Sequence, residues 1–163
     1  MRPYAALLCP IALVAAAPNW EGDYALDLDR SDPIPAAIQK LTDPMNFLLK
    51  TFWKKKLEKS EKPAQALNIL KGGNLTITQD KDIPFSLSAG NPTTWKRSDG
   101  ESFTIDLIQD GPDFTLIFKQ DEVAREQRYS LASDGKTLTV GVTYRHPKLP
   151  EPLKYQLVYK KSA

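Results

Sequence analysis

The chain has one cysteine and one histidine in 163 residues, and these scarcities remove much catalytic chemistry at the outset. Cys9 falls inside the apolar N-terminal run. If that run is cleaved, the remaining chain has no thiol, which excludes disulfides, thiolate nucleophiles and thiolate metal sites. His146 stands alone in the proline-rich segment His146–Pro152. A lone imidazole does not make a multi-histidine metal site. A Ser-His-Asp triad would have to run through it, and the chain has no nucleophile-elbow motif to accompany it. The formal charge is only +2, from 22 basic and 20 acidic residues, so no global field draws nucleic acid or acidic substrates. Aromatic and basic residues do not interleave along any predicted strand, as a nucleic-acid platform would require. Gly72-Gly73 and Asp99-Gly100 are turn signals with no helix after them, unlike phosphate loops. The acidic residues fall in turns or on outward parities, which lends paired-carboxylate chemistry no support. The sequence therefore predicts no enzyme, no catalytic residue, no metal, no cofactor and no nucleic-acid partner.

What is present begins with a leader. Arg2 is the single early charge, Ala5 to Ala16 is apolar apart from Pro10, and Val14-Ala15-Ala16 supplies small residues for cleavage. The run is too short to span a bilayer permanently. It predicts a signal peptide over 1–16, a mature domain over 17–163, and a secreted or periplasmic location.

From Trp20 onward the chain alternates with period two. Trp20, Gly22, Tyr24, Leu26 and Leu28 share a face, opposite Glu21, Asp23, Asp27 and Asp29. Pro33 and Pro35 break this pattern and introduce a short helix carrying Ala37, Ile38 and Leu41. Asp43-Pro44 predicts the start of a second helix, whose Met45, Leu48, Leu49, Phe52 and Trp53 recur at helical spacing. Such a stripe predicts packing onto the body of the protein, or gating of its mouth. Lys50, Lys54, Lys55, Lys56, Lys59 and Lys62 make this region basic, which suits solvent or a weak contact with anionic membrane. Together these pieces form a helix-turn-helix lid over about 33–62.

The rest is strand after strand with tight turns. Leu67 and Ile69, Leu75 and Ile77, Phe85 and Leu87, and Phe103, Ile105 and Leu107 alternate with polar neighbours. So do Phe114, Leu116 and Phe118, then Leu138, Val140, Val142 and Tyr144, and finally Leu153, Tyr155, Leu157 and Tyr159. A meander of about ten strands closes on itself or exposes two edges. The predicted fold is all-β: a closed antiparallel up-and-down barrel of about ten strands, with the helical lid between the first and second.

This order of elements resembles the fatty-acid-binding proteins and the wider lipocalin-like, or calycin, group. Trp20-Glu21-Gly22-Asp23-Tyr24 is similar to the group's opening aromatic-x-Gly-x-aromatic strand, and Ser31 follows where the group leaves that strand. Leu157-Val158-Tyr159-Lys160 is similar to its closing strand. There the group carries Arg-x-Tyr, with the arginine holding a fatty-acid carboxylate. Tyr159 keeps the tyrosine, and Leu157 replaces the arginine. The resemblance implies a barrel that binds or transports a small hydrophobic or amphipathic molecule, and a monomer is expected.

Parity assigns the inward residues. Tyr24, Phe85, Phe103, Phe118, Tyr155 and Tyr159 face the interior, with Phe52 and Trp53 of the lid above. They line a ligand cavity or fill a solid core, in which case the barrel acts through its outer surface as an exported interaction module. Arg125 and Gln127 share the inward parity of Val123, Tyr129 and Leu131. An inward arginine needs an anionic partner. That partner is a ligand head group or an internal acid, unless a bulge near Asp121-Glu122 turns the side chain outward.

Overall fold

The computed structural model describes residues 18–163. The expected leader and Cys9 lie outside the described residues. Ten strands form one antiparallel sheet in the order β4-β3-β2-β1-β10-β9-β8-β7-β6-β5. The strands are β1 (Gly22–Leu26), β2 (Ala66–Lys71), β3 (Leu75–Gln79), β4 (Phe85–Leu87), β5 (Thr93–Lys96), β6 (Ser102–Asp110), β7 (Asp113–Gln120), β8 (Val123–Leu131), β9 (Thr137–Arg145) and β10 (Leu153–Lys161). Two helices, α1 (Ile34–Thr42) and α2 (Phe47–Ser60), fall between β1 and β2.

Apart from β4 and β5, each strand pairs with its neighbours in sequence, and the first pairs with the last, Tyr24 opposite Lys161 and Leu26 opposite Tyr159. From β2 onward the short connections favour this order, most strictly the two-residue turns that join β6 to β7 and β7 to β8. The barrel is nearly closed. Its seam lies between β4 and β5, whose connection carries an isolated bridge between Ser88 and Asn91. Side chains continue the seam: Trp95 Nε1 donates to the Ile83 carbonyl at 2.8 Å and Thr93 Oγ1 to the Ser86 carbonyl at 3.1 Å.

The period-two reading places the core. Leu67, Ile69, Ile77, Leu87, Ile105, Leu116, Leu138, Val140 and Val142 are all buried on the inner face. One end is plugged by aromatics. Trp20 meets Phe114 edge-on at 4.9 Å, Phe114 stacks on Tyr129 at 4.6 Å, and the Tyr24 hydroxyl donates to the Trp20 carbonyl at 2.9 Å. The first strand is shorter than its alternation suggests. The chain turns after Leu26, leaving Leu28 exposed. Ser31 secures this exit, accepting from the Val158 amide at 2.9 Å and donating to the Asp27 carbonyl at 2.7 Å.

The lid differs from expectation in two ways. Asp43 ends α1 rather than starting α2. The cap of α2 is Asn46, whose side chain accepts from the Leu49 amide at 3.0 Å. That bond satisfies an amide that would otherwise lack a partner in the first turn. The buried stripe of α2 is also narrow, consisting of Trp53 and Leu57. Phe47, Leu48, Leu49 and Phe52 face solvent instead of the barrel. Apolar residues occupy more than one face of α2, and a helix this wide against a curved sheet buries only one of them.

Candidate functional site

The inner ends of β8 and β10 and the end of α2 meet in a polar cluster inside the apolar wall. Arg125 and Gln127 reach it from β8. The bulge alternative fails, because β8 keeps continuous register with both neighbours from Ala124 to Tyr129 and the inward parity is preserved. Tyr155 and Tyr159 reach it from β10, where alternate residues Leu153, Tyr155, Leu157 and Tyr159 are buried. The chain supplies its own acid. Glu61, the residue that caps α2, has a side chain only 1% exposed.

The contacts form a short chain. Tyr155 donates its hydroxyl proton to Glu61 Oε2 at 2.7 Å, and Arg125 Nη2 donates to the Tyr155 oxygen at 3.0 Å. Arg125 Nη2 lies 3.6 Å from the same carboxylate oxygen. Tyr129 donates to Gln127 Oε1 at 2.8 Å, and Tyr159 donates to the Ala64 carbonyl at 3.0 Å. Arg125 Nε is buried without a hydrogen-bond partner. Arg125 lines a cavity of about 30 Å³ together with the polar Gln79, Gln127, Tyr129 and Tyr159 and the apolar Leu67, Val140 and Leu157. That space suits about one water molecule. A groove of about 500 Å³ lies on the outer face over Gly141, but its Asp32, Arg128, Lys154 and Gln156 are solvated. The chemistry is concentrated inside.

Burial sets the ionisation of the cluster. It pushes the phenols of Tyr129, Tyr155 and Tyr159 above their ordinary value, so they remain protonated donors. Burial also disfavours charge on Arg125, but Glu61 and the tyrosines outweigh it and hold the guanidinium above its usual value.

The expected site residues separate into groups. Arg125, Gln127, Tyr155 and Tyr159 converge on the polar cluster. Phe85, Phe103 and Phe118 gather with Trp95 along the seam, at ring separations of 4.9 to 6.4 Å. Phe118 stands directly across from Arg125 in the sheet, so this aromatic group borders the polar one. Tyr24 belongs to the aromatic plug at the closed end. Trp53 is buried beneath the lid against His146, with ring centroids 4.8 Å apart. Phe52 lies outside the interior, 56% exposed, on the face of α2 turned away from the barrel. Glu61, Gln79 and Tyr129 were not among the expected site residues. Glu61 had a sequence signal, since Trp53, Leu57 and Glu61 recur every four residues and so share one helix face.

Among the described residues, no group of three or more His, Cys, Asp or Glu side chains is gathered to hold a metal. No helix among them is long and apolar enough to cross a membrane.

No family model and no curated protein sequence matches the chain. Solved structures do. Fatty-acid-binding protein 1 of Echinococcus granulosus superposes with a TM-score of 0.58 at 14% identity, covering 88% of this chain and 98% of that one. A fatty-acid-binding protein from Drosophila melanogaster brain tissue gives 0.53 at 19% identity, covering 85% and 95%. A secretory abundant heat soluble protein of Ramazzottius varieornatus gives 0.58 at 15%, covering 88% and 95%. At these identities the likeness is one of architecture: the chain shares its fold with these fatty-acid-binding protein structures.

Proposed function

We propose that the protein is a non-enzymatic binding or carrier protein for a small amphipathic acid, whose head group is read by Arg125 inside the barrel. One observation carries this reading: Arg125, whose buried Nε has no hydrogen-bond partner, lines a small cavity inside the barrel. An ion pair with one partner fully buried, Glu61 at 1% and Arg125 at 21% exposed, is a poor way to stabilise a core, because well-packed apolar residues of equal volume commonly do as well or better. Its presence makes sense where an anion must be recognised, since arginine offers five donors in a planar fork matched to a carboxylate. Leu157, at the position where the resemblance expects an arginine, lines the same cavity as Arg125. The cation thus comes from β8 instead of β10.

The cavity beside Arg125, about 30 Å³, holds a water rather than a ligand head group, so binding there requires the barrel to widen. Two features favour this. The β4–β5 seam is held mainly by isolated bonds, and α2 buries only Trp53 and Leu57 as apolar anchors. Those two side chains contribute roughly 1.5–3 kcal/mol each. The test is calorimetric titration with a medium-chain fatty acid and the corresponding alcohol. The acid binds measurably, and Arg125→Met weakens it much more than it weakens the alcohol. Equal weakening of both would remove Arg125 from the recognition step. Absence of binding by either, with no small molecule co-purifying in native mass spectrometry, would favour an exported barrel acting through its surface.

The outer face of α2 supports a second contact. Phe47, Leu48, Leu49 and Phe52 are exposed beside Lys50, Lys54, Lys55 and Lys56. This combination suits weak docking on an anionic membrane, where each such lysine contributes about 1 kcal/mol. Co-sedimentation with anionic but not neutral vesicles, lost at high salt, is the expected result. We further propose a monomeric protein exported by the leader over 1–16. N-terminal sequencing of the native protein tests cleavage, and light scattering tests its state.

A further inference from the structure

We propose that Glu61 is a competitor built into the lid: it occupies Arg125 and Tyr155 when the barrel is unloaded, and an anionic ligand must displace it, freeing the end of α2. This rests on the carboxylate-binding reading above and adds its regulation.

The geometry points to exchange rather than to a permanent pair. Glu61 is the residue at which α2 ends, and its amide closes the helix by donating to the Leu57 carbonyl at 2.8 Å. Its carboxylate is therefore tethered to the last helical turn. From there it reaches Arg125 only at 3.6 Å, longer than the 2.7–2.9 Å of a charge-assisted hydrogen bond. Tyr155 takes the good bond to Glu61, while Arg125 Nε is left without an acceptor. A free carboxylate carries no such tether and can meet the planar fork in two-point geometry.

Charge enforces the competition. Arg125 and Glu61 neutralise each other within the wall. Adding a second carboxylate beside a buried one creates an uncompensated charge, which is strongly disfavoured. Ligand and Glu61 thus exclude one another on the same cation. Trp53 and Leu57 of α2 and Glu61 at its C-cap are all three buried. Expelling Glu61 removes the last of these anchors, so loading and lid release become one event. A neutral ligand does not claim the cation and leaves Glu61 in place.

The experiment uses the full chain, wild type and Glu61→Gln, titrated with dodecanoate and dodecan-1-ol. Glutamine keeps the shape and removes the charge. Dodecanoate is expected to bind Glu61→Gln about tenfold or more tightly than wild type, while dodecan-1-ol changes by less than about twofold. Hydrogen exchange on the wild type gives a second readout that needs no variant. Amides of Leu57 to Glu61 are expected to exchange faster with dodecanoate bound than with dodecan-1-ol bound. If wild type binds dodecanoate and the variant binds it no more tightly, the competitor is refuted while the carrier reading stands. Should the variant fail to fold, unchanged or slower exchange at Leu57 to Glu61 refutes it instead. If wild type and variant bind neither probe, both readings fall.

Discussion

The Tyr155 hydroxyl donates to the Glu61 carboxylate at 2.7 Å, joining the last strand of the barrel to the residue at which the lid helix ends. Nothing local requires this meeting, and it puts an acid where the apolar wall would otherwise be continuous. Tyr155→Phe leaves that carboxylate without its best donor. We expect a loss of about 1–3 kcal/mol in urea unfolding, the cost of an underpartnered buried acceptor.

Arg125→Met has a larger effect on stability for the same reason, since Glu61 is then buried without a cation. The expected loss is about 3 kcal/mol. Combining it with Glu61→Gln should recover much of that loss, because the pair is removed together. A double-mutant cycle in urea reads the coupling, and simple additivity would show that the two side chains do not act as a pair.

The two aromatic neighbours on α2 should behave oppositely. Trp53→Ala empties a buried site and is expected to cost about 3–5 kcal/mol. Phe52→Ala changes a mostly exposed side chain, and its effect should stay within about 0.5 kcal/mol. Loss of anionic-vesicle binding in Phe52→Ala, at unchanged stability, would tie that outer face to the membrane.

His146 reports on the lid. Burial beside Trp53 lowers its pKa below the ordinary 6.5, and the nearby Lys56 ammonium lowers it further. A histidine with a depressed folded-state value favours the neutral ring. Its contribution to stability is therefore full above 6.5 and fades as the pH falls through the folded midpoint. An NMR titration of this single imidazole should give a midpoint below 6.5, and Lys56→Gln should raise it. An unshifted midpoint in both proteins would place the ring in open solvent.

Much of the barrel was legible because strand parity is local. Arg125, Gln127, Tyr155 and Tyr159 could be assigned inward by counting alternate residues from apolar neighbours. The lid was harder to read. Asp43-Pro44 and Asn46 both offer the chemistry of a helix start, and only one of them caps α2. Phe52 and Trp53 are adjacent and both aromatic, so pattern alone did not tell which would be covered.

The order of polar and apolar residues by itself determined the strands, their turns and the set of side chains that face inward, because backbone geometry alternates sides at every residue. Which inward groups touch was decided in three dimensions. Glu61 meets Arg125 and Tyr155 only because the tertiary fold brings the end of α2 against β8 and β10. The seam at β4 and β5 was likewise decided by closure, since a twisted sheet of ten strands brings its two edges together whatever their sequences say of each other. Local rules assign a side chain to a face, and long-range packing selects its partner.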